Sequence, residues 1–326
     1  GNPTPNSLLE YFNQIKFLKG EFLGCSNYHK FKTKYFVGSG NKAIPVNQSV
    51  LNMMQLDLQQ YCYKIRRQDV NIGSKKIYEP RFLKMDTEYR KLYNFMESHW
   101  ALNETSTEWA MVADNYLHQM CGGYPKFDKS ISSTFKLDAL MELLKGDLAE
   151  EKVVIWCKLR HEQAEIYQKI RRSFPATAAI NGGTPISDRT RLIKSFQETQ
   201  NHNILICTYG TLDFGIDLSA ADTTIYYSNT WSRLKREQSE DRIVHPSKKS
   251  PLLYIDLVAE DSIDIDVLKN HTEKALRTES ANDRIYASFL ERLRKRQSES
   301  QSQPDSEMTK YSAKVDSWKN TITIAG

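Results

Sequence analysis

The residues best suited to chemistry lie in the run Thr208-Tyr209-Gly210-Thr211-Leu212-Asp213-Phe214-Gly215-Ile216-Asp217-Leu218. Glycine tolerates positive φ and lets backbone approach a ligand closely, so Gly210 and Gly215 suit a loop that meets a phosphate or nucleotide. Thr208 offers a hydroxyl and an amide to a phosphate, and Asp217 can accept from a ribose or an arginine. As a generic strand-to-helix loop the run serves equally well as plain structure, and only its neighbours decide between the two. Further on, Gln238-Ser239-Glu240-Asp241-Arg242 sets an amide and a guanidinium one helical turn apart. Glu237, Glu240 and Asp241 stand beside Lys235, Arg236 and Arg242, and read as ion pairs along a helix face rather than acid/base catalysts. His118, close before Cys121, has no second ligand pair, so no metal site is expected.

These residues need a scaffold, and the second half of the chain supplies a regular one. KLDALMELLKGDL reads as helix, KVVIWC (152–157) as a short buried strand, HEQAEIYQKIRRSF as helix and TAAI (177–180) as strand. SDRTRLIKSFQE follows as a helix with Ser187 as its N-cap, then NILICT and TTIYYS as strands, SRLKREQSEDRI as helix and LLYIDLV as strand. Strands alternating with helices mean βαβ units and a mostly parallel sheet, with ligands at the carboxyl ends of its strands. The expected fold class is therefore α/β. Residues 7–36 read as short helices with a loop, 47–67 as an amphipathic stretch ending in basic residues, SKKIYEPRFLKM as a strand, and Asp86 to Trp100 and Glu108 to Met120 as helices.

The order of the motifs resembles the second RecA-like lobe of superfamily-two helicases, specifically the Swi/Snf-type translocases. Cys207-Thr208, Gly215-Ile216-Asp217-Leu218, Ile225-Tyr226-Tyr227-Ser228 with Trp231, and Gln238 to Arg242 follow one another as that family's blocks do. Upstream lie Lys136-Leu137-Asp138 with Leu140, KVVIWCK in place of motif IV, and Asn181-Gly182-Gly183-Thr184 with Arg189 and Phe196. Downstream, Ser262-Ile263-Asp264 with Lys274 looks like the family's TIDE and lysine signature. Gly1-Asn2-Pro3-Thr4-Pro5-Asn6-Ser7 is similar to the close of motif III, residues 8–36 to the segment after it, and Tyr63 to Asp69 to the basic block that leads into the second lobe.

The resemblance implies roles. Arg242 is the first motif VI arginine and acts on ATP, together with Gln238 at the lobe interface and Gly215 and Asp217 on the nucleotide side. Lys158, Gly183, Thr184, Arg189 and Thr208 face double-stranded DNA and grip its phosphates. Trp231 reads more readily as a core or interface tryptophan than as a DNA-side aromatic. The family pattern departs at one point: His245 stands where the second arginine of motif VI, the finger, is expected. An arginine finger contributes roughly 10³–10⁵ in rate, and an imidazole lacks the forked guanidinium. Either the parent enzyme is weak, or Lys248 or Lys249 takes the role, or His245 only caps a helix end.

The expected layout is the end of a first lobe and a mostly helical connecting region over 1–130, the RecA-like lobe over 131–265, helices over 266–297 and a flexible tail over 298–326, where Ser, Gln and Glu dominate. Arg284, Arg292, Arg294, Lys295 and Arg296 read as a solvated helix face, with a DNA-facing helix as the alternative. The abrupt opening on Gly1 leads us to expect a piece of a longer protein, with the GxxxxGK[ST] loop and DExH carboxylates on another part. ATP and Mg are then cofactors of the parent, none is expected on this piece alone, and the missing first lobe is a partner. The expected function is the C-terminal lobe of an ATP-dependent DNA translocase. The alternative is a catalytically silent DNA-binding or protein-docking lobe, and an RNA or restriction helicase fits the connecting blocks less well.

Composition sets the outer bounds. The 326 residues are 40% hydrophobic and 26% charged, with a mean hydropathy of -0.59. No apolar run is long enough to span a membrane and no export signal opens the chain, so an intracellular protein without a membrane partner is expected. The five cysteines are scattered and odd in number, which argues against a disulfide framework. A net charge of +5 permits a polyanion partner without requiring one.

Overall fold

In a computed structural model, the described residues are 8–38, 43–61, 74–103, 107–125, 129–198 and 204–272. Gly1 to Ser7, Tyr63 to Asp69, Lys274, the basic stretch from Arg284 and the tail all lie outside them. The described residues divide into two compact units, 8–61 and 74–272.

The first unit holds three helices, α1 (Tyr11–Lys19), α2 (Tyr28–Tyr35) and α3 (Gln48–Gln59), and an antiparallel pair, β1 (Phe36–Val37) with β2 (Ile44–Pro45). Asn27 caps α2 by accepting from the amides of His29 and Lys30, and Asn47 caps α3 by accepting from Val50. Phe12, Phe22 and Phe31 pack at its centre with ring centroids 5.0 and 5.2 Å apart.

The second unit is built on six parallel strands in the order β3-β8-β7-β4-β6-β5. The strands are β3 (Lys76–Leu83), β4 (Val153–Cys157), β5 (Thr177–Ile180), β6 (Ile204–Thr208), β7 (Thr223–Tyr226) and β8 (Leu252–Ala259). The helices are α4 (Thr87–Asn103), α5 (Thr107–Cys121), α6 (Phe135–Lys145), α7 (Arg160–Ser173), α8 (Ile186–Glu198), α9 (Arg233–Asp241) and α10 (Ile263–Thr272). β4 and β6 are buried at every residue, because helices cover both faces of a parallel sheet. Their alternation splits the core in two: Val154, Trp156, Leu205 and Cys207 enter one cluster, while Val153, Ile155, Ile204 and Ile206 enter the other. This is the parallel α/β architecture that the helix and strand alternation predicts, and that the resemblance to a RecA-like lobe implies.

Local details refine that expectation. α8 starts at Ile186, so Ser187 lies in its first turn and is not the N-cap. Ser232, by contrast, caps α9 by accepting from the Lys235 amide. The strand expected near 76–83 forms, and its place is the edge of the main sheet beside β8, with Lys76 opposite Leu252 and Leu83 opposite Ala259. It lies N-terminal to the 131–265 stretch expected to make the lobe.

Candidate nucleotide and nucleic-acid surfaces

Four of the residues expected to meet DNA sit at, or just beyond, the carboxyl ends of neighbouring strands. Register places Cys157 of β4 opposite Thr208 of β6, and Cys207 opposite Ile180 of β5. Lys158, Thr208 and the Asn181-Gly182-Gly183-Thr184 loop thus follow side by side along one edge. β4 and β7 are also neighbours, and the helices after them lead to opposite sides of the sheet, the switch point where such folds open a crevice. There the Lys158 amide donates to Ser228 Oγ at 2.7 Å.

The loop after β5 is shaped by its own side chains. Thr184 Oγ1 accepts from the Asn181 amide at 3.0 Å, and Asn181 Oδ1 accepts from the Gly183 amide at 2.9 Å. Gln163 of α7 donates to the carbonyls of both Ile180 and Ile206 at 2.8 Å, so one buried amide stitches the ends of β5 and β6. Arg189 is only 5% exposed, and its Nη2 donates to the Thr184 carbonyl at 2.9 Å. It shapes this loop from beneath and offers no cation at the surface. Thr208 is likewise buried, its carbonyl accepting from Thr211 Oγ1.

Lys158 carries the first cation after β4, and it is engaged. Its Nζ lies 3.0 Å from Asp114 of α5, which also accepts from Trp231 Nε1 at 2.6 Å and lies 3.3 Å from His118 Nε2. Burial works against the Asp114 charge, yet His118, Lys158 and the indole N–H more than offset it, holding the carboxyl well below its usual range. Burial and the Lys158 charge push His118 down. Trp231 also packs against the α4 and α5 core, which fits a structural tryptophan. Among the described residues no group of His, Cys, Asp and Glu could hold a metal ion.

The residues expected on the nucleotide side gather at a second place. Gly215 takes φ +55, the left-handed conformation that ends the 3-10 turn Tyr209–Phe214. From there Leu218 donates its amide to the Arg242 carbonyl at 2.9 Å, and Arg242 Nη1 lies 3.5 Å from the Ile216 carbonyl. Asp217 is exposed and turns its carboxylate to the Ser219 amide, while Gln197 donates to its carbonyl. Gln238, half-buried, stands one turn before Arg242 on the same helix face. Burial lowers the Arg242 pKa.

His245 is exposed and sits in the turn after α9. Its Nδ1 lies 2.7 Å from Ser247 Oγ and accepts from the Ser247 amide at 3.2 Å, so the imidazole caps that turn. Lys248 is spent on the Ala221 carbonyl and on Asp222, leaving Lys249 as the exposed cation nearby.

Sequence reasoning passed over the residues that hold α9 in place. Arg236, 4% exposed, makes a forked pair with Asp256 of β8, with Nη2 to Oδ2 at 3.0 Å, and donates to Asn229 and Glu240 at 2.8 and 2.9 Å. Its guanidinium stands 3.4 Å from the Tyr226 ring centroid. Glu240 goes on to accept from Lys76 and Tyr78 of β3, both at 2.8 Å. The i,i+4 spacing of Arg236 and Glu240 was a legible ion pair; Asp256 gave no local signal. A second missed pair is Lys136 with Asp264, fully buried at 2.6 Å, joining α6 to α10 and linking two of the motif blocks.

Comparison with known proteins agrees with this geometry. Residues 135–246 match the helicase conserved C-terminal domain. The Zorya protein ZorD of Escherichia coli O139:H28 is 30% identical over 125 residues, covering 36% of this chain and 11% of ZorD. The ATP-dependent helicase FUN30 of Saccharomyces cerevisiae is 25% identical over 163 residues, covering 47% of this chain and 14% of FUN30. The matches therefore take in only a small part of each relative's length. Among solved structures, the C-terminal part of the Fun30 ATPase domain superposes with a TM-score of 0.52 at 17% identity, over 67% of this chain and 99% of that one. The Sulfolobus solfataricus SWI2/SNF2 ATPase core in complex with dsDNA gives 0.56 at 16% identity, over 83% of this chain and 60% of that one. At such identities the likeness is one of fold. Residues 135–246 thus match a helicase conserved C-terminal domain, and the fold that carries them is like that of Swi2/Snf2 ATPase C-terminal domains.

Proposed function

We propose that this chain is the second motor lobe of an intracellular, ATP-driven translocase on double-stranded DNA. The observation that carries the reading is the alignment of Lys158, Thr208 and the Gly183-Thr184 loop on adjacent strand ends, with Arg242 held separately against the Ile216 carbonyl. Amides and hydroxyls at such an edge contact phosphates without reading bases, which suits movement along any sequence. The dsDNA complex of the Sulfolobus neighbour and the ATP dependence of FUN30 support it.

Arg242 would contact the phosphates of ATP, with Gln238 at the lobe interface and Gly215 and Asp217 lining the nucleotide side, and the nucleotide would supply the free energy for movement. The half-buried guanidinium fits that task. The GxxxxGK[ST] loop and the DExH carboxylates that would hold Mg with the ATP phosphates do not occur in these 326 residues. We therefore expect ATP hydrolysis only in the presence of a first lobe, and none from this chain alone. The test is an ATPase assay on this chain joined to such a lobe, with and without duplex DNA. Stimulation by DNA is the expected result, and its absence, with His245→Arg restoring none, would sink the translocase reading. The imidazole in place of the finger favours a second reading, a silent lobe that only binds DNA. DNA binding without any ATPase in the joined protein would select it.

A further inference from the structure

We infer that Arg160, and not Lys158, is the side-chain cation that grips a backbone phosphate at this edge. The inference rests on the reading of the edge as a DNA-gripping surface and assigns it a residue that the motif pattern does not name. Lys158 has spent its charge on Asp114, 3.0 Å away. Arg160, two residues on, is exposed and makes no ion pair or hydrogen bond among the described residues.

Its surroundings are built for an anion. A Cβ added to Gly182 would stand 3.2 Å from Arg160 Nη2, and one added to Gly183 would stand 3.6 Å from Nη1. The guanidinium thus lies across a strip of bare backbone where any side chain would crowd it. Gly210, from the loop after β6, packs against the same strip, since a Cβ there would meet Gly182 Cα at 3.8 Å. Loops from three adjacent strands, β4, β6 and β5, converge under one guanidinium.

The charge is also out of place by the usual rule. Arg160 is the first residue of α7, at the positive end of the helix dipole, where a cation is unfavourable. The acidic residue of that turn, Glu162, is fully buried and accepts from Ser228 Oγ, so it gives Arg160 no counter-ion. A phosphodiester oxygen beside Arg160 would answer both the side-chain charge and the helix end. The fork of the guanidinium suits it to two phosphate oxygens at once.

The experiment is a binding titration of the 326-residue chain against a fluorescent 30-base-pair duplex at several salt concentrations. Arg160→Ala is expected to weaken binding about five- to tenfold at low salt and to reduce the log–log salt slope by about one. Arg160→Lys should keep the slope, since the charge stays, and recover part of the affinity, since the fork is lost, and Lys158→Ala should cost less than Arg160→Ala. Unchanged affinity and slope in Arg160→Ala, with wild type binding, would overturn the inference alone, as would Arg160→Lys behaving like Arg160→Ala or a larger loss from Lys158→Ala. Failure of the wild type to bind any duplex would overturn the DNA reading along with it. Because Arg160 is exposed and makes no pair among the described residues, thermal melting of its variants should match wild type.

Discussion

Arg242 and Glu162 are the two residues whose chemistry can be tested most directly. Arg242 keeps its fork against the Ile216 carbonyl, where a phosphate could replace the weak 3.5 Å contact. In a joined two-lobe enzyme, Arg242→Ala should lower the DNA-stimulated kcat by about 10³-fold or more, the scale of a lost transition-state arginine. Arg242→Lys should recover little, because an ammonium lacks the fork. A kcat within about threefold of wild type in Arg242→Ala, against that scale, would remove Arg242 from the reaction. Glu162 tests the frame beneath the edge. Burial raises its pKa to about 7 against Ser228 and Lys136, which favour the charge, while Asp264 disfavours it. A carboxyl raised in the folded state contributes its stability below the unfolded value of 4.5 and loses it as pH climbs through about 7. At about 1.4 kcal/mol per decade, the loss between those limits amounts to roughly 3 kcal/mol. Glu162→Gln keeps the shape without the charge, so its melting temperature relative to wild type should rise between pH 5 and pH 8.5. A difference that stays flat across that range would place the ionisation elsewhere.

Helix α9 shows why some elements were legible and their anchors were not. The runs VVIWC, ILICT and TTIY declare β4, β6 and β7 because a strand covered on both faces is apolar or β-branched at nearly every residue and carries no charge. β3 alternates and reads as a strand, yet its parallel pairing with β8 joins residues far apart in the chain, and no local pattern encodes that. The site shows the same division. Thr208 and Gly215 stand out as candidates by residue type and Arg242 through the motif resemblance, whereas Asp114 behind Lys158 and Asp256 behind Arg236 depend on remote contacts. Arg189, expected on the DNA side through the resemblance, is buried, which no local pattern around it signals. The Arg236 network is what fixes α9, and hence Gln238 and Arg242, to the sheet. Removing one partner of a buried pair leaves an uncompensated charge, at a cost of about 3–5 kcal/mol. Asp256→Asn should therefore lower the urea midpoint of unfolding substantially, and Arg236→Met with Asp256→Leu should recover part of the loss. If Asp256→Asn moves the midpoint no more than an exposed-site change such as Lys169→Ala, the network does not anchor the helix. Gly123 offers an independent check on α5: its φ of +81 and a Ser133 carbonyl 2.2 Å from where a Cβ would stand make Gly123→Ala destabilising by at least about 1 kcal/mol.

At the scale of the whole chain, charge decides how binding should respond to salt. A net +5 over 326 residues is too small to draw DNA by long-range attraction alone. Much of the positive charge on the lobe is already committed: Lys76 to Glu240, Lys136 to Asp264, Lys158 to Asp114 and Arg236 to Asp256. What remains at the carboxyl edge is a few cations among amides and hydroxyls. Amide contacts to phosphate release few counterions compared with lysine or arginine, so the affinity should fall with salt, but gently. Neutralising about two to four phosphates predicts a log–log slope of about -2 to -4 between roughly 25 and 300 mM KCl. Exchange of one duplex sequence for another should change the affinity less than about twofold, since phosphate contacts carry no base information. A slope steeper than about -6 would require a broad basic surface that the edge does not have. Affinity independent of salt would deny the phosphate grip itself.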